Sequence, residues 1–156
     1  MSNEERILSL EQKLGLTLPS DYRDFIATHR ESSNRPPQVV SSNPDYWGVS
    51  NIFELGDGAS YLQVDENYRL VGDVIPKATV AIADDGAGNL FLLDCRLGSG
   101  RVDWWDHEQN LGEDRVEMAA SSFTEFLSIF DARPGQLTAA FHPIGHSTPS
   151  IQFFAL

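Results

Sequence analysis

Thr79-Val80-Ala81-Ile82-Ala83-Asp84-Asp85-Gly86-Ala87-Gly88-Asn89-Leu90-Phe91-Leu92-Leu93 is the stretch whose reading decides the fold. Two short apolar runs of strand length flank six residues of turn chemistry. Gly86 and Gly88 supply positive φ at no steric cost, and Asp84, Asp85 and Asn89 can bond nearby backbone. The two runs are therefore expected to fold back on each other as an antiparallel hairpin.

Toward the C-terminus, Gly98-Ser99-Gly100 can reverse the chain again into residues 101–107. Arg115-Val116-Glu117-Met118 then reads as a further strand with period-two alternation. Consecutive hairpins imply an antiparallel sheet. Ser122 and Glu125 form an S-x-x-E box ahead of Phe123, Phe126, Leu127 and Phe130, and Arg133-Pro134 halts the pattern, so a last helix is expected to dock on that sheet.

Toward the N-terminus the period changes. Ser2 with Glu5 forms another box, Ile7, Leu10 and Leu14 share a face, and Gly15 suits a left-handed cap, which predicts a helix over 3–14. A second helix follows Leu18-Pro19, with Tyr22, Phe25, Ile26 and His29 at helical spacing. Residues 31–47, with three prolines and four serines, read as loop. Tyr61, Val64, Tyr68 and Val71 predict a third helix within 59–71, stopped by Gly72. Helices first, then hairpins, then one late helix define an α+β domain, its mostly antiparallel sheet covered by the N-terminal and late C-terminal helices.

The chain has 156 residues, of which 41% are hydrophobic. That is the size of one domain, which typically takes roughly 100 to 200 residues. It carries 23 acids against 11 bases, a net charge of −12. Such a surface repels phosphate backbones and anionic lipid, so neither direct nucleic-acid binding nor membrane binding is expected. Cys95 is the single cysteine, which excludes an intrachain disulfide. No apolar run approaches the roughly 20 residues of a membrane helix, and the first ten residues lack a signal-peptide pattern, so the expected location is the cytoplasm.

The charge is uneven. Between Glu54 and Glu117 there are 14 acids and five bases, a local net of −9. Turn acids such as Asp84 and Asp85, and Asp106 and Glu108 after Trp105, are expected at loop tips, where they set up a negative field suited to a basic protein surface. Trp47, Trp104 and Trp105 lie among these acids, and tryptophan is enriched at binding hot spots. Neighbours on a strand point to opposite faces, so one of Trp104 and Trp105 belongs to the core. The expectation places Trp105 there and leaves Trp104 and Trp47 as anchors.

No catalytic pattern emerges. Asp84-Asp85-Gly86 lacks the alternating acids of a calcium loop, and His142 and His146 enclose Pro143 and Gly145 with no carboxylate nearby. His107 sits beside Asp106 and Glu108, yet no nucleophile motif accompanies it, and no phosphate or dinucleotide loop is present. The expectation is a protein without catalytic residues, metal or cofactor.

Four motifs in order carry a resemblance: Leu14-Gly15-Leu16-Thr17-Leu18-Pro19-Ser20-Asp21-Tyr22-Arg23-Asp24-Phe25; Ile75-Pro76 leading to Ile82-Ala83-Asp84-Asp85-Gly86-Ala87-Gly88-Asn89; Trp104-Trp105-Asp106-His107; and Ser121-Ser122-Phe123-Thr124-Glu125-Phe126-Leu127. Over about residues 4 to 131 the chain resembles the SUKH superfamily, Smi/Knr-type branch. The resemblance implies an α+β fold and a bacterial immunity protein that binds and silences a cognate toxin of a polymorphic or contact-dependent system. Its partner would be a basic toxin domain, possibly a nuclease. The alternative it implies is a regulatory or scaffold module related to fungal cell-wall regulators, also without catalysis. The family supplies no fixed binding residue, so Asp84, Asp85, Trp104, Asp106, Glu108 and Trp47 rest on the physical reading alone.

The domain is expected to span 1–134. Residues 135–156 contain no charged side chain but carry Phe141, Ile144, Ile151, Phe153 and Phe154, too much apolar surface for a solvated linker. They are expected to dock on their own domain, with a dimer or partner contact as the alternative; monomer and homodimer both remain compatible.

Overall fold

In the computed structural model, which describes residues 2–28, 48–56, 59–108 and 116–129, Ser2 caps the first helix as expected. The Glu5 N–H donates to Ser2 Oγ at 3.2 Å and the Ser2 N–H to Glu5 Oε2 at 2.7 Å, opening α1 (Asn3–Leu14). Gly15 closes it at φ 63°. Ile7, Leu10 and Leu14 are buried.

Pro19 has no N–H to lose and its carbonyl accepts from the Arg23 N–H at 2.9 Å, so it starts α2 (Ser20–Thr28). Arg23 ties the two helices together through Glu11, at 2.8 Å, and Glu4. Tyr22 and Ile26 are buried and Phe25 is packed against the core.

The third helix is shorter than its periodicity suggested. Residues Ser60–Leu62 form one 3₁₀ turn, Gln63 is extended, and only Val64–Val71 form an α-helix, α3. The break at Gln63 lets the Val64 N–H bond the Glu54 carbonyl at 3.0 Å, and leaves Tyr61 67% exposed. Tertiary pairing here overrides helical spacing.

Five strands follow in chain order across one sheet, every neighbouring pair antiparallel: β1 (Asn51–Ile52), β2 (Thr79–Asp84), β3 (Leu90–Asp94), β4 (Val102–Trp105) and β5 (Val116–Ala120). The expected hairpin between β2 and β3 is present, with Gly86 at φ 78° and Gly88 at φ 101°. β1 was not legible in the sequence, since two residues show no alternation. The alternation expected in β5 fails: Glu117 and Met118 are both exposed on this edge strand, whose pairing with β4 shifts register beside Val102.

Helix α4 (Phe123–Ile129) returns over the sheet. Its Ser122 hydroxyl accepts from the Glu125 N–H at 3.0 Å, but the Glu125 carboxylate turns back to the Ser121 N–H at 2.7 Å and the Ser121 hydroxyl, one residue earlier than the predicted box. Phe126 lies 5.2 Å from Phe91, ring centre to ring centre, and Phe123 meets Tyr22 edge-on at 4.8 Å. The helices therefore pack on the face of the sheet carrying Phe91, Leu93 and Val102. Trp104, opposite Phe91, points into the same core at 5% exposure, while Trp105 is half-buried. The expected assignment of the pair is thus reversed, because the register with β3, invisible in sequence, decides which face each ring takes.

The chain is an α+β protein with helices covering an antiparallel sheet, as expected. Among the described residues no helix is long and apolar enough to cross a membrane. Trp47, the 31–47 loop, His29, Phe130, the Arg133-Pro134 stop, His142, His146 and the 135–156 segment lie outside the described residues.

Candidate functional site: the acidic end of the sheet

Strand register brings four of the predicted residues to one end of the molecule. Asp84 pairs with Leu90, and Leu90 with Trp105, so the β2–β3 turn and the residues after β4 leave the sheet side by side. Asp84 and Asp85 stand on the first, Asp106 and Glu108 on the second.

The turn is stitched by its own acids. The Asp85 carboxylate accepts from the N–H groups of Ala87 at 2.8 Å and Asn89 at 3.1 Å, and from Asn89 Nδ2 at 2.7 Å. Asp84 accepts from the Gly86 N–H at 2.9 Å and from Asn51 Nδ2 at 3.0 and 3.1 Å. Asn89 Oδ1 then crosses to the second loop, accepting from the His107 N–H at 3.2 Å and facing His107 Nδ1 at 2.8 Å. That oxygen only accepts, so Nδ1 carries the proton in this contact. Asp106 accepts from the Glu108 N–H at 2.9 Å. A side chain at Gly88 would bring a Cβ within 2.8 Å of the His107 ring, so glycine is what allows the imidazole to lie on the turn.

The result is a braced pair of loops rather than loose tips. Glu108 and His107 are exposed, while Asp84, Asp85 and Asp106 are half-buried. Burial pushes the Asp84 carboxyl above its ordinary range; the bonds from Asn51 and Gly86 oppose that, and the charge of Asp85 adds to it. Trp105, at the same end of β4, is the half-buried aromatic here, whereas Trp104 lies in the core. Sequence reasoning placed the four acids and missed the braces: Asn89 was read only as turn chemistry, and nothing in the sequence pairs Asn51 with Asp84.

The opposite end is built differently. An open groove of about 570 Å³ runs between the α1–α2 linker and the β3–β4 connection, lined among others by Gly15, Pro19, Cys95, Leu97, Gly100 and Ser122. Below it Asp94 is 1% exposed. Burial alone would raise its pKa, but Arg96 binds it through Nε at 2.9 Å and Nη2 at 2.7 Å, the Arg96 N–H and the Ser99 hydroxyl join, and together they hold it at about 2. Asp103 is raised by burial despite Arg101 Nε at 3.0 Å, and its Oδ1 has no hydrogen-bond partner among the described residues. Burial pushes the Cys95 thiol up to about 12, which makes it a poor nucleophile. No group of three or more His, Cys, Asp or Glu side chains among the described residues converges as a metal site.

Helices packed on a five-stranded antiparallel meander define the class: a small α+β protein. Residues 1–129 match the SMI1 / KNR4 family (SUKH-1), and the chain belongs to that family. It is also 28% identical over 143 residues to the SPbeta prophage-derived uncharacterized protein YokK of Bacillus subtilis (strain 168), covering 81% of this chain and 73% of that relative. No solved structure matches.

Proposed function

We propose that this protein is a cytoplasmic immunity protein that neutralises a cognate toxin by occluding it with the acidic end of its sheet. The observation that carries the reading is the convergence of Asp84, Asp85, Asp106 and Glu108 on two loops locked together through Asn89 and His107. Held charge of one sign attracts a basic groove at long range and loses little entropy on contact. A toxin that acts on nucleic acid presents such a groove, and carboxylates can stand where phosphates would. Family membership supports a protein partner, and no catalytic step is assigned to this chain. Trp105 takes over the anchoring role first given to Trp104.

Asp84→Asn and Asp85→Asn keep hydrogen-bond acceptors in the turn while removing charge, and Glu108→Lys reverses an exposed one. The triple variant, produced with the toxin encoded beside it, is expected to fold normally by circular dichroism and to protect cells at least tenfold less well, the scale of one or two lost charge contacts. Full protection by the folded variant would show that this end is not the binding surface.

A further inference from the structure

A one-way chain of hydrogen bonds runs across the acidic end and stops at the surface. The Asn89 amide cannot be reversed: its Nδ2 donates to Asp85 Oδ2 at 2.7 Å, and its Oδ1 accepts from the His107 backbone N–H at 3.2 Å. Turning it round would set oxygen against carboxylate and N–H against N–H. Asp85 is itself held by the N–H groups of Ala87 and Asn89 at its Oδ1. Oδ1 of Asn89 is thus a fixed acceptor 2.8 Å from His107 Nδ1, so the imidazole proton stays on Nδ1 and the lone pair on Nε2. Neutral histidine free in water prefers the reverse. Gly88 permits this seat, because a Cβ there would stand 2.8 Å from the ring's Cε1 and 3.1 Å from both nitrogens. His107 is exposed, and Nε2 has no hydrogen-bond partner among the described residues.

We propose that His107 Nε2 is a dedicated hydrogen-bond acceptor for an arginine of the protein partner, an assignment that rests on the acidic end being the contact surface. A histidine ordinarily offers either a donor or an acceptor, and here the relay from Asp85 removes the choice. A partner carbonyl or carboxylate would face a lone pair and is refused, whereas an N–H donor is accepted. That donor is cationic, since Asp106 and Glu108 flank His107 in the chain and the turn on which its ring lies carries Asp84 and Asp85. Of the two cationic side chains, guanidinium is the less strongly hydrated and holds five N–H donors in one plane. It gives one N–H to a neutral nitrogen and keeps others for carboxylates. An ammonium is a compact, strongly hydrated charge and gains less from a neutral acceptor. His107 therefore adds a selectivity that charge lacks: the acids attract any base, and the fixed lone pair favours the forked one.

The tautomer is read first, on the isotope-labelled full chain, by long-range proton–nitrogen correlation NMR in a buffer alkaline enough to keep histidine neutral. A protonated Nδ1 and a bare Nε2 are expected at His107; a proton on Nε2 in the folded parent would overturn the relay without recourse to any variant. Titration at low salt with an oligoarginine peptide is expected to shift the Nε2 resonance, and an oligolysine peptide of equal length to shift it less. No shift with arginine, or an equal one with lysine, would overturn the assignment. In cells producing the toxin encoded beside it, folded His107→Phe keeps the ring outline without an acceptor and is expected to protect about tenfold less well, the worth of one hydrogen bond to a charged group. His107→Gln, whose amide oxygen reaches the place of Nε2, is expected to recover part of that loss. Full protection by His107→Phe while the Asp84→Asn, Asp85→Asn, Glu108→Lys triple variant fails would sink this role and leave the acidic end standing. Full protection by both would remove the contact surface and this inference with it.

Discussion

At the residue scale, Asp94 shows how this fold tolerates a buried charge. Its carboxylate is out of water, yet Arg96 and Ser99 compensate it so well that its pKa falls to about 2. A carboxyl lowered in the folded state adds stability above its unfolded pKa of about 3.9, and that stability is lost as pH falls toward the folded value. Arg96→Met leaves the carboxylate buried without its guanidinium and is expected to lower stability by about 2 to 3 kcal/mol at neutral pH. With burial then opposed by Ser99, the residue 96 N–H and the more distant Arg101, whose Nε lies 3.9 Å from Asp94, acid unfolding is expected to begin at higher pH than in the parent. Urea midpoints measured between pH 2 and 7 check both effects. Asp84 and Asp103 have the opposite sign: their raised pKa values mean stability present at low pH and lost as pH rises through the folded value.

At the scale of elements, the β2–β3 turn does two jobs. It closes the hairpin, and through Asn89 it fixes the loop after β4. Gly88 serves both, since its φ of 101° is foreign to L side chains and His107 fills the space beside it. Gly88→Ala is expected to destabilise by about 1 to 3 kcal/mol through backbone strain. It should also move the His107 side-chain resonances away from their parent positions, a displacement that a merely strained turn would not produce. An unchanged His107 spectrum would mean that the two loops are not braced through this contact. The third helix teaches the complementary lesson: Tyr61 had the right spacing, but pairing of residue 54 with residue 63 took the backbone out of the helix first.

At the scale of the molecule, the net charge is −12. Asp84, Asp85, Asp106 and Glu108 share one end of the sheet, whereas Arg96 and Arg101 sit at the other, against Asp94 and Asp103. On the proposed function, association with the toxin is expected to slow by about tenfold or more between low and physiological salt, with dissociation little changed, as measured by stopped-flow mixing. Salt-independent association would remove steering from the account.

Much of this was legible without coordinates, because it depends on neighbours along the chain. The caps at Ser2 and Gly15, the apolar stripe of Ile7, Leu10 and Leu14, and the glycines of the Asp84–Asn89 turn are local rules of hydrogen bonding and sterics, and they set the elements and the fold class. Four acids were placed at turns for the same reason. What only the tertiary structure decided is everything that depends on register between strands: that Trp104 rather than Trp105 faces the core, that Asn51 meets Asp84, that Asn89 reaches His107, and that Leu92 and Asp103 share a buried face. A shift of one residue between strands would leave every local preference satisfied and turn each of those side chains to the other side, so no local pattern can encode the choice.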